Sequence, residues 1–178
     1  ETMTEQRYAF IVEWFDQALN ADPRDYASWQ GRAEALFRLE RHAECLGSVN
    51  RALALNPRLV PAWQRRGAAL EALGRHAEAL QAWDQGLAAA PGNLHLAVGR
   101  AATLLSLGRH ADAVAACDRA LALDPRSVPA LFTRAEALLA ARHPGAAAAF
   151  QRFLAVAPPR LVAQIEHARQ RLKELGGS

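Results

Sequence analysis

The sequence predicts an all-α solenoid of antiparallel helix pairs, and three observations predict it. Prolines recur at a step of 34, as Pro23, Pro57, Pro91 and Pro125, and Pro158 follows after 33. Between them apolar residues return at three- and four-residue intervals, the period of amphipathic helices. Ala fills roughly a quarter of the 178 positions while aromatics fill 7%, a composition suited to close helix packing. A single helical hairpin cannot bury its own apolar faces, so repeated hairpins must stack.

Residues 1–25 carry one helical pattern only, Tyr8, Ile11, Phe15 and Ala18-Leu19, which matches the second half of a repeat. Complete units are expected over 26–59, 60–93, 94–127 and 128–158, the last one residue short, with the deletion placed near Ala141-Arg142. The second of these reads through Trp63, Gly67, Leu70 and Leu73, then through Ala79, Leu80, Trp83 and Leu87, with Gly74 separating the two helices. Pro61 and Pro129 fall in first turns, where proline is tolerated. Asp22, Asn56 and Asp124 precede the prolines that end second helices, because the ring lacks an N–H and disfavours helix in the residue before it. Residues 159–178 read as a capping helix with Leu161, Ile165, Ala168, Leu172 and Leu175 inward and Arg160, Glu166, Arg169, Arg171 and Lys173 outward. Gly176-Gly177 is expected to stop it.

The same step of 34 relates Arg32, Arg66, Arg100 and Arg134, and His42, His76 and His110, with His143 one residue early. Small residues Ala33, Gly67, Ala101 and Ala135 and large Leu36, Leu70, Leu104 and Leu138 mark the first helices, with Trp29 and Trp63 ahead of them. Ala79, Ala113 and Ala146, and bulky Phe15, Val49, Trp83, Cys117 and Phe150, mark the second helices. This pattern resembles the tetratricopeptide repeat family, and the run of Arg before Gly or Ala is common in its bacterial members. Ala97 and Leu131 depart from its Trp site, and Ile11 and Cys45 from its small site. The resemblance implies a right-handed superhelix with a concave groove that binds a peptide or protein.

Mapped by that resemblance, the groove comprises Gln30, Glu34 and Phe37; Gln64, Arg65 and Glu71; His95, Val98 and Leu105; and Phe132, Glu136 and Leu139. Its first half is polar and its second apolar. Gln30, Gly31 and Glu34 stand where the family's carboxylate clamp requires basic and Asn residues, so that subfamily's ligand is not expected. The arginine ladder is expected to pair within the chain, with Glu34, Glu71 and Asp84 at hand. Two further readings stand beside the binding scaffold: a regulatory or positioning segment of a larger enzyme or of a secretion or assembly protein, and self-association through Tyr8, Trp14 and Phe15 on the unpaired first helix.

Other function classes find little support in the residues. Histidines one repeat apart are separated by roughly 10 Å, given the spacing of packed helices, so no single metal holds them. Cys45 and Cys117 lie far apart without metal-ligand spacing, and no nucleophile, zinc-protease or nucleotide-loop motif occurs, so neither catalysis nor a cofactor is expected. A net charge of +3 is small beside eighteen acids, and no aromatic platforms interleave with the bases, which argues against nucleic acid. No apolar run is long enough for a bilayer and the N-terminus is polar and acidic, so a cytoplasmic protein is expected, either a fragment or a processed form since it does not begin with Met. Charge is uneven: two Arg face six acids over residues 1–25, whereas seven bases face three acids from residue 128 onward.

Overall fold

In the computed structural model, which describes residues 2–176, the described chain forms ten helices and no strand. They are α1 (Met3–Ala21), α2 (Tyr26–Arg38), α3 (His42–Leu55), α4 (Val60–Ala72), α5 (His76–Ala89), α6 (Leu94–Ser106), α7 (His110–Leu123), α8 (Val128–Ala140), α9 (Ala146–Val156) and α10 (Val162–Gly176). The architecture is an all-α helical repeat, divided into one compact unit ending at Pro91 and another beginning at Gly92. In the first, each of α1 to α4 packs on its successor, and the first helices α2 and α4 also touch. In the second, α6 to α10 pack in the same consecutive way, with α6 touching α8.

Local chemistry explains the helix starts. Thr2 and Glu5 form a capping box on α1, with Glu5 N donating to Thr2 Oγ1 at 3.2 Å and Thr2 N to Glu5 Oε2 at 2.7 Å. Asp25 and Asn93 cap α2 and α6 through their side chains, while α4 and α8 start with Pro61 and Pro129. Helices α3, α5 and α7 lack a capping side chain. There an Arg at the cap pairs with an acid three residues on, Arg41 with Glu44, Arg75 with Glu78 and Arg109 with Asp112, at 2.7, 2.7 and 2.6 Å. The acid thereby sits in the first turn, where the helix dipole favours it.

Two kinds of turn alternate. After each first helix one residue turns left-handed: Glu40, Gly74, Gly108 and Arg142, with φ of 57°, 70°, 71° and 53°. The following N–H then closes on the helix end, as Arg41 N does on Leu36 O at 2.9 Å. After second helices, Asp22, Asn56 and Asp124 accept from the amides of Arg24, Arg58 and Arg126 and shape the proline turns. The indoles of Trp29 and Trp63 donate to Pro23 O and Pro57 O at 3.0 and 2.8 Å, tying each first helix to the turn before it.

The core holds the small and large sites of the repeat: Ala33, Ala101, Ala135, Leu36 and Leu104 are 0% exposed. At Gly67 an added Cβ would lie 2.5 Å from the Trp83 ring, and at Gly31 2.1 Å from that of Phe15, so these glycines make room for the two rings. Arg32 and Arg134 of the arginine ladder serve the packing with partners other than Glu34 and Glu71. Arg32 reaches Asp16 at 2.7 Å and Ser48 Oγ at 2.8 Å, joining α1, α2 and α3. Arg134 reaches Asp118 at 2.7 Å. Arg66 lies over Trp63, 5.6 Å from the ring centroid, because Asn50 stands where an acid sixteen residues earlier would be needed.

The one-residue deletion lies later than the sequence pattern placed it. Arg142 still occupies the left-handed position of Gly108, and His143 N donates to Leu138 O at 2.9 Å as Arg109 N does to Leu104 O. His143 is therefore the counterpart of Arg109 and not of His110. Pro144-Gly145 interrupts the chain next, and α9 begins only at Ala146. The missing residue is restored at Pro158-Pro159, where Leu161 N donates to Pro158 O as Ser127 N does to Asp124 O, so Val162 opens α10 one full repeat step after Val128 opens α8. In α10, Ala168 is buried and Leu161, Ile165 and Leu172 are half-buried, but Leu175 is 37% exposed and Arg171 is half-buried. The expected inward and outward assignments of those last two are thus corrected: Leu175 is turned partly to solvent, while Arg171, whose Nη1 donates to Glu174 at 2.8 Å, is half-buried. The helix runs through Gly176, and Gly177 lies outside the described residues.

Candidate functional site

In the first unit, Gln30, Glu34 and Phe37 rise from α2, and Gln64, Arg65 and Glu71 from α4. Arg65 joins the two helices: its Nη2 pairs with Glu34 Oε2, and its guanidinium lies 4.2 Å from the Phe37 ring centroid. Glu34 also accepts from Arg38 at 3.0 Å, and Glu71 meets His76 Nδ1 at 3.1 Å. His42, the start of α3, stacks obliquely on Phe37 at 5.0 Å. The charges of this face are thus engaged with one another, and Arg65 is held within the chain, not extended toward a partner. Buried Gln30 Oε1, Arg65 Nε and His42 Nδ1 have no hydrogen-bond partner among the described residues.

The second unit offers apolar relief. His95 is exposed while Val98 and Leu105 on α6 and Phe132, Glu136 and Leu139 on α8 are half-buried. Val128, Pro129, Phe132, Phe153, Leu161 and Gln164 line a cavity of about 230 Å³. Phe132 forms its wall by resting 5.0 Å from Phe153. Leu139 lies elsewhere, in a second cavity of about 340 Å³ beside His143, Pro144 and Leu175. Expected residues Phe132 and Leu139 therefore serve two separate depressions.

Helix α10 contributes residues that the groove mapping missed. His167 Nε2 meets Glu136 Oε1 at 2.8 Å, and its ring stands 5.9 Å from that of Phe132. Glu136 and His167 are 31 residues apart, as are Glu34 and Arg65. An acid on one first helix is in both cases met by a base on the next, so α10 packs as the first helix of a further repeat. That spacing was present in the sequence and would have identified His167.

On α1, Phe15 is half-buried against Gly31 and touches Trp14 edge-on at 4.9 Å, and Tyr8 is half-buried. The outward apolar stripe is instead Met3, Phe10 and Trp14, 88%, 68% and 56% exposed. Of the three residues expected on a self-association face, only Trp14 points outward.

Cys45 and Cys117 are fully buried, and burial pushes their thiols up to about 11 and about 12, which keeps them protonated near neutral pH. Among the described residues no group of three or more His, Cys, Asp or Glu could hold a metal, and no helix is long and apolar enough to cross a membrane.

Comparison with known proteins agrees with the geometry. The tetratricopeptide repeat family profile matches residues 65–128 and 98–161. A bacterial transcriptional activator domain profile matches residues 16–89. No curated protein matches the sequence. Among solved structures, TTC0263, a thermophilic tetratricopeptide protein of Thermus thermophilus, superposes with a TM-score of 0.71 at 22% identity, covering 96% of this chain and 91% of its own. MamA from Desulfovibrio magneticus RS-1 gives 0.77 at 17%, over 87% and 96%. PilW, described as a widely conserved type IV pilus biogenesis factor, gives 0.75 at 25%, over 84% and 70%.

Proposed function

The chain belongs to the tetratricopeptide repeat family, and we propose that it is a non-catalytic protein-interaction module that takes an apolar side chain of a peptide or protein partner into the Phe132 cavity. The observation that carries this reading is the cavity of about 230 Å³ among Val128, Pro129, Phe132, Phe153, Leu161 and Gln164. Its walls are predominantly hydrocarbon, Thr133 and Gln164 are the polar side chains in the lining, and Gln164 supplies an amide for a partner backbone. In the first unit the charges of Arg65 and Glu34 are paired with each other beside Phe37, so that cluster shapes the surface and adds little attraction. An anchor in one small cavity, without a charged clamp, favours transient recognition.

Two buried thiols and the absence of disulfide spacing suit a reducing compartment, and we place the protein in the cytoplasm. The likeness to PilW, a pilus biogenesis factor, supports the narrower alternative of a positioning segment in an assembly machine.

Panning a random-peptide library on the purified chain tests the proposal. Selected peptides should share an aromatic or long aliphatic residue. Gln164→Trp, which fills the cavity, and Pro129→Glu, which charges its exposed rim, should each weaken them by about tenfold or more. Peptides that bind both variants as they bind the parent, or a library that yields none, would overturn the assignment.

A further inference from the structure

Helix α1 differs from the other second helices at two positions of the repeat. Phe10 stands where α3, α5 and α7 carry the exposed acids Glu44, Glu78 and Asp112, each paired with an Arg three residues before. Arg7 keeps that Arg's place, but its acid has become a phenyl ring. Trp14 stands where Ser48, Ala82 and Ala116 are small and buried, at 1%, 2% and 3% exposure. With Met3, these rings make an apolar stripe opposite the side on which Val12 and Leu19 are buried. A small residue at position 14 would suit one more ordinary repeat; an indole requires a deeper receptor.

Such a receptor exists at the other terminus. Leu154, Ala157, Pro159, Val162 and Ile165 line a cleft of about 430 Å³ between α9 and α10, together with one acid, Glu166, and one base, Arg169. Val162 is 56% exposed there. Residues 1–25 carry two Arg against six acids, and residues 128–178 carry seven bases against three acids. Pairing α1 with α1 would set like charges together, whereas pairing α1 with the cleft brings opposite charges together.

We propose that this chain associates head to tail, Phe10 and Trp14 of one copy seating in the α9–α10 cleft of a second copy. The contact is heterologous, so it generates chains of copies or a closed ring and not a two-fold dimer. It uses neither the Phe132 cavity nor the partner assigned to it.

Sedimentation of the full chain from about 1 μM to about 500 μM, a range that brackets small transient interfaces, tests the proposal. The weight-average mass should rise with concentration and fall toward that of a monomer in high salt, which screens the charge attraction. Trp14→Lys disables the head and Val162→Glu disables the tail, both at exposed positions, with circular dichroism reporting that the helices persist. Each variant alone should stay monomeric, and an equimolar mixture should form a 1:1 dimer, since one retains a tail and the other a head. A parent that is monomeric throughout overturns the proposal. So does a Val162→Glu variant that still self-associates, the mark of α1–α1 pairing or of another surface, and so does a mixture that stays monomeric.

Discussion

Two identical substitutions in the packed helices should have opposite outcomes. Gly47 in α3 and Gly67 in α4 are both helical, and Gly→Ala in a helix interior contributes about 0.5–1 kcal/mol by propensity alone. At Gly47 nothing lies within 4 Å of an added Cβ, so Gly47→Ala should gain that amount. At Gly67 the same methyl would sit 2.5 Å from Cε2 and Cζ2 of Trp83, well inside ordinary contact. Trp83 is 3% exposed and has no room to retreat. Overpacking of this kind costs about 1–3 kcal/mol, and at its mid-range of about 2 kcal/mol it exceeds the propensity gain and leaves a net loss of about 1–1.5 kcal/mol. At about 2–4 °C per kcal/mol for a chain of this size, calorimetry should find Gly47→Ala raising Tm by about 1–4 °C and Gly67→Ala lowering it by about 2–6 °C. The double change Gly67→Ala with Trp83→Leu should cost less than the two single costs together, because the clash is shared. A Gly67→Ala protein more stable than its parent would refute the claim that Gly67 makes room for the Trp83 ring.

Other expectations follow from the turns, the thiols and the last helix. Glu40→Gly should stabilise by about 0.5–1 kcal/mol, since a side chain at φ 57° is strained and glycine is not, and denaturant unfolding reads the gain. Buried Cys45 and Cys117 stay protonated up to about pH 11 and 12 while the unfolded thiols ionise near 9.0, so they contribute stability below pH 9 that is lost as pH rises through that window. The slope approaches about 1.4 kcal/mol per pH unit for each thiol, and Tm of Cys45→Ala with Cys117→Ala should decline less between pH 9 and 11. His167→Ala removes the contacts to Glu136 and Phe132, so hydrogen exchange in α10 should accelerate by about five- to tenfold, an opening cost reduced by about 1 kcal/mol, with amides of α2 to α4 unchanged.

Period 34 made the helix pairs and the small sites legible in the sequence because burial repeats with the structure. Ala33, Gly67, Ala101 and Ala135 are all buried where that period puts them. Less legible were the ion pairs, whose partners depend on reach between stacked helices: Arg32 passes over nearby Glu34 for Asp16 on α1. The site of the deletion was hidden for another reason. Ala146 to Ala149 are four identical residues, so a shift by one leaves the apolar pattern of α9 unchanged and only the Arg142 turn reveals the register. Helix α10 was read as a cap from its polarity, which says nothing of His167 reaching back to Glu136. The groove mapping treated each exposed position as available, and it did not foresee that the half-buried guanidinium of Arg65 lies over Phe37 and pairs with Glu34.

One position sets α10 apart from the other first helices. By its start, one repeat step after that of α8, and by the Glu136–His167 contact, α10 is a first helix able to receive a second. The receiving position, occupied by Ala33, Gly67, Ala101 and Ala135 in the repeats, is Arg169 in α10. Those four residues are buried, and at Gly67 even one methyl would lie 2.5 Å from the Trp83 ring of the following second helix. Arg169 is exposed and lines the α9–α10 cleft. Where the other first helices carry a small buried residue, α10 thus carries a long charged one, beside a depression lined by both Glu166 and Arg169. That depression admits a projecting aromatic side chain from a helix held farther away than an ordinary repeat helix would lie, which is the form of contact that Phe10 and Trp14 provide.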